Sequence, residues 1–263
     1  MTQGILQIQS VQTQLGDLSN QLATGKKSLN LADYTITDSN KVLNLRSVAA
    51  RKQSFLDAIN TVEPQLKVYD STFDELDDVG NNALALVNQA TDITQTASTA
   101  AGTQFQGMLD DIQYFLNQKL GSRYIFGGAR YGTAPVANLN GLAVPPVETG
   151  TVSSPTLPTY DSAAPGSDAN AYTPSTVRID DNFTVTYGIS SDNPAFQQLI
   201  LGIRWAYAAT QETTDTAFNT DMGYARTLLA AAIPAMQSLH GQVASNISQL
   251  ETTKTQHNNF ISS

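Results

Sequence analysis

Two histidines, His240 and His257, and three acid pairs, Asp77-Asp78, Asp110-Asp111 and Asp180-Asp181, are the side chains whose types could do chemistry. Histidine beside carboxylates can move protons or hold a cation. The spacing argues against both. The histidines stand seventeen residues apart on one expected helix, about 25 Å at ~1.5 Å per residue, too far to share a metal. Each reads as a surface or seam residue. Adjacent residues on a helix point about 100° apart, so Asp77-Asp78 and Asp110-Asp111 read as solvated faces rather than paired acids. Asp180-Asp181-Asn182 reads as a turn, where Asp bonds nearby backbone, and no EF-hand spacing follows it. Gly127-Gly128-Ala129-Arg130-Tyr131-Gly132 lacks the GxGxxG and P-loop patterns, and no helix signal opens after it. It reads as a hairpin or bulge. With no cysteine in the chain, disulfides, thiolate ligands and Cys nucleophiles are excluded. The expectation is a protein without catalytic residues, cofactor or metal.

Composition narrows the partners. The chain has 263 residues, enough for one or two domains with a sizeable core, and a net charge of −9 with only 14 Lys and Arg. A polyanion would be repelled, which argues against nucleic acid. The N-terminus has no basic segment followed by an apolar run, so no cleavable secretory signal is expected. No window approaches eighteen apolar residues, so no span of a membrane is expected.

The elements that would position these residues are mostly helices. Ile8, Val11, Leu15, Leu18 and Leu22 step by three and four, one apolar seam that stops at Gly25, with Lys26 and Lys27 beside it. A connector follows. A second, long helix is expected from Ser39 or Asn40 to about 97, some 85 Å at ~1.5 Å per residue. Its seam of Phe55, Ile59, Val62, Leu66, Tyr69, Phe73, Leu76, Gly80, Ala83, Val87 and Ala90 keeps phase across Pro64, which favours one kinked helix over two helices meeting there. A third helix is expected over 103–119, with Phe105, Leu109, Ile112, Leu116 and Leu120 inward. After it, Arg123–Phe126 is strand-like and Gly127-Gly128 turn-like, which predicts a short hairpin. Eight of the ten prolines lie in 131–195, and Arg178 is the sole Lys or Arg of that interval. Residues 150–176 have linker composition, and the interval ends in strand, turn, strand, with Val177 and Ile179 facing one way and Phe183, Val185 and Tyr187 lining one face. Helix resumes at Asn193-Pro194, with Phe196, Leu199, Ile200, Ile203 and Tyr207 inward. A last helix runs from about 219, broken or kinked at Pro234. Both ends fall in mid-helix, which predicts trimmed termini lying side by side.

This order of motifs resembles the flagellin family, and within it the hook-associated junction members, over nearly the whole chain. The residues that carry the resemblance are Leu22-Ala23-Thr24-Gly25-Lys26-Lys27, then Tyr124-Ile125-Phe126-Gly127-Gly128 with Thr133 and Pro135, then the strand pair from Val177 and the helix from Asp192. Gly25, Lys26, Tyr124, Phe126, Gly127 and Gly128 are its structural-motif residues. Ala32-Asp33-Tyr34-Thr35 departs from filament flagellins, which speaks against a major-filament role. Ala83–Gln89 matches the receptor-recognised stretch of some flagellins only loosely, so receptor recognition is not carried over. The resemblance implies a mainly α fold with a small inserted β domain, an elongated helical-bundle rod formed by N- and C-terminal segments.

The division expected is 1–129 with 192–263 as a discontinuous rod domain and 130–191 as an inserted β-rich outer domain. The function implied is structural: lateral rod-to-rod packing that joins hook to filament. The implied partners are a neighbouring hook-associated protein, flagellin, copies of the chain in a ring, and an export chaperone before secretion. The implied location is extracellular, on the bacterial flagellum, reached by type III export without a cleaved signal. Two alternatives remain open: a minor filament flagellin, and a surface ligand- or glycan-binding module built on Tyr160, Tyr172, Phe183 and Tyr187. A cytoplasmic coiled-coil signalling protein would lack the Pro-rich insertion.

Overall fold

The structure is a computed structural model that describes residues 2–24, 35–90, 97–128, 131–136, 138–142 and 174–263. It is mainly α, with a small β component. The helices are α1 (Thr2–Thr24), α2 (Ile36–Gln89), α3 (Ala97–Leu116), α4 (Pro194–Ala209) and α5 (Asp215–Ser262). Two antiparallel hairpins, β1 (Lys119–Leu120) with β2 (Arg123–Tyr124) and β3 (Thr176–Asp180) with β4 (Phe183–Thr186), and a short 3-10 helix, Leu139–Gly141, complete the described elements. Contacts divide the chain into two compact units, Met1–Ser54 with Asn259–Ser263, and Phe55–Asn258.

Several helix ends differ from expectation, for local reasons. The second helix begins at Ile36 because Thr35 caps it: the Thr35 hydroxyl accepts from the Asp38 amide at 3.2 Å. It stops at Gln89, where Arg226 of α5 donates to the Asn88 side chain at 2.9 Å and to the Val87 carbonyl at 3.3 Å. That satisfies one of the carbonyls the helix end leaves open. The last helix starts at Asp215 because Thr214 caps it, its hydroxyl accepting from Ala217. The Asn193-Pro194 start of α4 is as expected; the Asn193 side chain accepts from the Ala195 amide at 3.0 Å.

In the unit Phe55–Asn258 the seam of α2 is the core. Every seam position from Phe55 to Val87 is buried, and Ala90 is half-buried. The helix runs unbroken through Pro64, which lies on the exposed side, where water can serve the carbonyl that proline leaves unbonded. α5 runs antiparallel to α2. Lys254 meets Glu63, His240 meets Asp70, and Arg226 meets Asn88, in reverse order along the two chains. Those ties span about 40 Å at ~1.5 Å per residue. α3 and α4 complete the layer. Gln106 donates to the Tyr207 hydroxyl at 2.9 Å, and Phe196 stacks on Phe73 at 5.6 Å. Gly202 of α4 lies so close to α5 that a methyl group there would stand 2.9 Å from Leu229 Cγ. Ile179 and Val185 join the same core, so the second hairpin lies against the bundle.

Candidate functional site

The histidines and carboxylates do not converge. His240 Nε2 lies 2.9 Å from Asp70 Oδ1, and its ring stacks on Phe73 at 5.7 Å. It closes the α2–α5 seam from its edge. His257 is buried, stacks on Phe55 at 5.7 Å and bonds the Ile179 carbonyl at 2.8 Å, so it ties α5 to β3. Asp77 is half-covered, and burial raises its carboxyl above the usual range; Asp78 is exposed. Asp110 accepts from Asn140 at 2.7 Å, while Asp111 faces solvent. Asp180 accepts from the Asp181 amide at 2.7 Å, and Arg178 donates to the Asp180 and Asp181 carbonyls, which closes the hairpin turn. Among the described residues no three His, Asp or Glu are placed to hold a metal ion. Trp205 is buried against Tyr224 at 5.0 Å.

A different set of residues does converge, around the Tyr69 hydroxyl. Tyr69 is fully buried on the α2 seam. Its hydroxyl donates to the Ile125 carbonyl at 2.6 Å, and it accepts from Gln65 at 3.0 Å and from the Ile189 amide at 3.3 Å. Ile125 follows the first hairpin, and Ile189 lies between β4 and α4. One hydroxyl therefore ties α2 to two segments far apart in the chain. Phe126, fully buried, packs edge-on against Tyr69 at 4.9 Å and Phe196 at 5.8 Å, and its carbonyl accepts from Ser191 at 2.9 Å. Burial raises the Tyr69 phenol above its usual range, so the group stays a neutral donor.

The motif residues fit around this point. Tyr124 pairs with Lys119 in the first hairpin, and the Lys119 ammonium lies 4.3 Å above its ring. The β1–β2 hairpin turns at Gly121-Ser122, where Gly121 has φ of 64°, and Gly127-Gly128 lie in a separate turn, closed by the Tyr124 amide donating to the Tyr131 carbonyl at 3.0 Å. Gly127 is buried, and Gly128 has φ of 59°, a left-handed conformation that side chains resist. Gly25 and Lys26 lie outside the described residues, as do Tyr160 and Tyr172.

The stretch from Gly121 to Val136 continues back onto α3, a placement the composition did not predict. Asn117 brackets Val136 with both amide atoms, donating to its carbonyl at 2.8 Å and accepting from its N–H at 3.0 Å. Gln113 accepts from the Leu139 amide at 3.0 Å, and Asn140 donates to the Gln106 carbonyl at 3.1 Å. Positions 106, 110, 113 and 117 form a polar stripe of heptad spacing beside the apolar one. That stripe was readable in the sequence, but nothing local says which backbone it bonds.

α1 presents its own candidate surface. Val11, Leu15, Leu18 and Leu22, the expected seam, are 53%, 65%, 64% and 90% exposed. Leu43 and Leu45 on the first part of α2 are also exposed. Charged and polar groups do not interrupt the α1 seam, so it is a helix face with the pattern of a buried one and, among the described residues, no cover.

No family model matches the chain, and no curated protein does. Among solved structures it is similar to one described as a flagellar hook-associated protein from Vibrio parahaemolyticus. The TM-score is 0.67 at 13% identity, over 88% of this chain and 95% of that one. It is also similar to FlgL from Bacillus cereus, with a TM-score of 0.61 at 17% identity, over 84% and 96% of the two chains. The chain therefore shares the fold of these flagellar proteins, and the expected resemblance is borne out at that level.

Proposed function

We propose that this chain, which shares the fold of flagellar hook-associated proteins, is a structural subunit of the bacterial flagellum that joins hook to filament. The single observation that carries the reading beyond fold is the uncovered heptad face of α1. A helix with Val11, Leu15, Leu18 and Leu22 in water is costly alone and stable in an assembly. Covering such side chains is worth on the order of 1.5–3 kcal/mol each. Repeated between neighbours around a ring, this would hold subunits side by side as lateral rod-to-rod packing.

In this reading residues 1–129 with 192–263 supply the packing rod, and 130–191 the outward domain. Its partners are other axial proteins of the flagellum and copies of itself. It leaves the cell by type III export, with a chaperone covering the apolar helix faces beforehand, since exposed seams aggregate if left unpaired. The test is deletion of the gene with electron microscopy of the cells. Hooks without filaments, and filament protein shed into the medium, are the expected result. Normal filaments would overturn the junction role.

A further inference from the structure

Charge is divided unevenly between the two compact units. Residues 1–54 carry six Lys and Arg against three Asp and Glu, a net of +3. Residues 55–258 carry eight against twenty, a net of −12, and 259–263 carry none. The division falls within α2. Before position 55 the helix holds Lys41, Arg46, Arg51 and Lys52 with Asp38 as its one acid. From 57 to 78 it holds Asp57, Glu63, Asp70, Asp74, Glu75, Asp77 and Asp78 with Lys67 as its one cation.

The acidic stretch repels itself. Asp70 and Asp74, Asp74 and Asp77, Asp74 and Asp78, and Glu75 and Asp78 stand three or four residues apart, where like charges destabilise a helix by a few tenths of a kcal/mol per pair. The effect is visible at Asp77, whose carboxyl is raised first by burial, opposed by His240, and raised further by Asp74 and Asp78. The cations packed against this face serve its inner groups. Lys254 and Lys67 hold Glu63, and His240 reaches Asp70 at 2.9 Å and Asp74 at 3.9 Å. Glu75 and Asp78 point outward, opposite the seam, and are exposed; Lys41 and Arg46 are exposed as well.

We infer that the acidic face of α2 around Glu75 and Asp78 in one copy of the chain receives the cationic first part of α2, around Lys41 and Arg46, from a second copy. Charge complementarity selects this occupant, because the same helix carries both signs in separate blocks. The cationic block also lies in the unit whose apolar surface is uncovered, Val11 to Leu22 with Leu43 and Leu45. Apolar cover would then supply the attraction, and the charge blocks the orientation: like ends repel and unlike ends meet. The inference rests on the self-packing proposed above.

The experiment uses three forms of the full chain: wild type, Lys41→Glu with Arg46→Glu, and Glu75→Lys with Asp78→Lys. All substituted positions are exposed, and circular dichroism with urea unfolding checks that each form folds. Self-association is measured by sedimentation velocity at about 50 mM and about 500 mM salt, across which the screening length falls several-fold. The wild type should associate at low salt and weaken about tenfold or more at high salt. Each variant alone should stay monomeric where the wild type associates, and an equimolar mixture of the two should recover association. Were a variant to unfold, the milder pair Lys41→Gln with Arg46→Gln and Glu75→Gln with Asp78→Gln takes its place, each again weakening association. A wild type that stays monomeric, association indifferent to salt, or a mixture without recovery overturns the inference. Filament loss on gene deletion would stand apart from any of these results, so the two readings can fail separately.

Discussion

Replacing Tyr69 with Phe removes one oxygen atom and leaves the ring, so it isolates the hydrogen bonds that tie the segments at Ile125 and Ile189 to α2. The edge contact with Phe126 at 4.9 Å survives. The Ile125 carbonyl, on a residue only 5% exposed, loses its 2.6 Å donor, and the Ile189 amide loses its acceptor at 3.3 Å. A buried group stripped of its partner costs about 1–3 kcal/mol, while a long, bent or solvent-replaceable bond costs less than about 1. The short bond to Ile125 should dominate, giving a loss of roughly 1.5–3 kcal/mol. Urea unfolding at equilibrium reads the sum. Hydrogen exchange reads the place: the amides of Ile189 and Ser191 should exchange faster, with the α3–α4 contact unchanged. Tyr207→Phe, which removes a half-buried bond to Gln106, is the control and should cost about 0.5–1 kcal/mol. A Tyr69→Phe protein within about 0.5 kcal/mol of wild type, with exchange unaltered around Ile125 and Ile189, would refute the claim that this hydroxyl holds the two segments.

Four further outcomes follow from the bundle. Gly202→Ala gains about 1 kcal/mol of helix propensity but puts a methyl 2.9 Å and 3.0 Å from Leu229 atoms and 3.3 Å from Leu228 Cβ, so overpacking of about 1–3 kcal/mol should win in thermal unfolding. Gly241→Ala meets nothing within 4 Å and should stabilise by up to about 1 kcal/mol. Glu63→Gln cuts the 2.6 Å bridges to Lys254 and Lys67 and should cost about 0.5–1 kcal/mol at neutral pH. Those lysines hold the Glu63 carboxyl below its ordinary value of 4.5, so the native state binds this proton less readily than the unfolded chain. Its contribution is present above that value and fades as pH falls, and the variant should match wild type near pH 3. Asp221 is the opposite case: burial, with Glu212 adding, raises it from 3.8 to about 6. The native state then holds the proton more tightly, stability falls as pH rises between those values, and Asp221→Asn should remove that part of the slope in urea titrations at stepped pH.

What the chain's own order determined is the helical frame. A step of three and four residues sustained from Phe55 to Val87 admits one buried helix face, and all those positions are buried. Asn193-Pro194 opens a helix wherever it stands, because the cap and the fixed proline φ act within one turn. Local preference also marks β3 and β4, but not their pairing. A register shift between Arg178 and Asp180 sets Phe183 opposite Asp180 and leaves it 42% exposed, although the alternation placed it with buried Val185. Only the tertiary structure decided where polar groups separated in sequence find each other. Tyr69 read as one more apolar seam residue, yet its hydroxyl bonds partners 56 and 120 positions away. His257 read as a surface or seam residue and is buried on the Ile179 carbonyl. The polar stripe of α3 carries amides that any extended backbone could satisfy, and the segment around Val136 supplies it. Apolar periodicity acts through water alone and so is legible residue by residue. A hydrogen bond needs its partner brought within about 3 Å, and the folded chain alone does that.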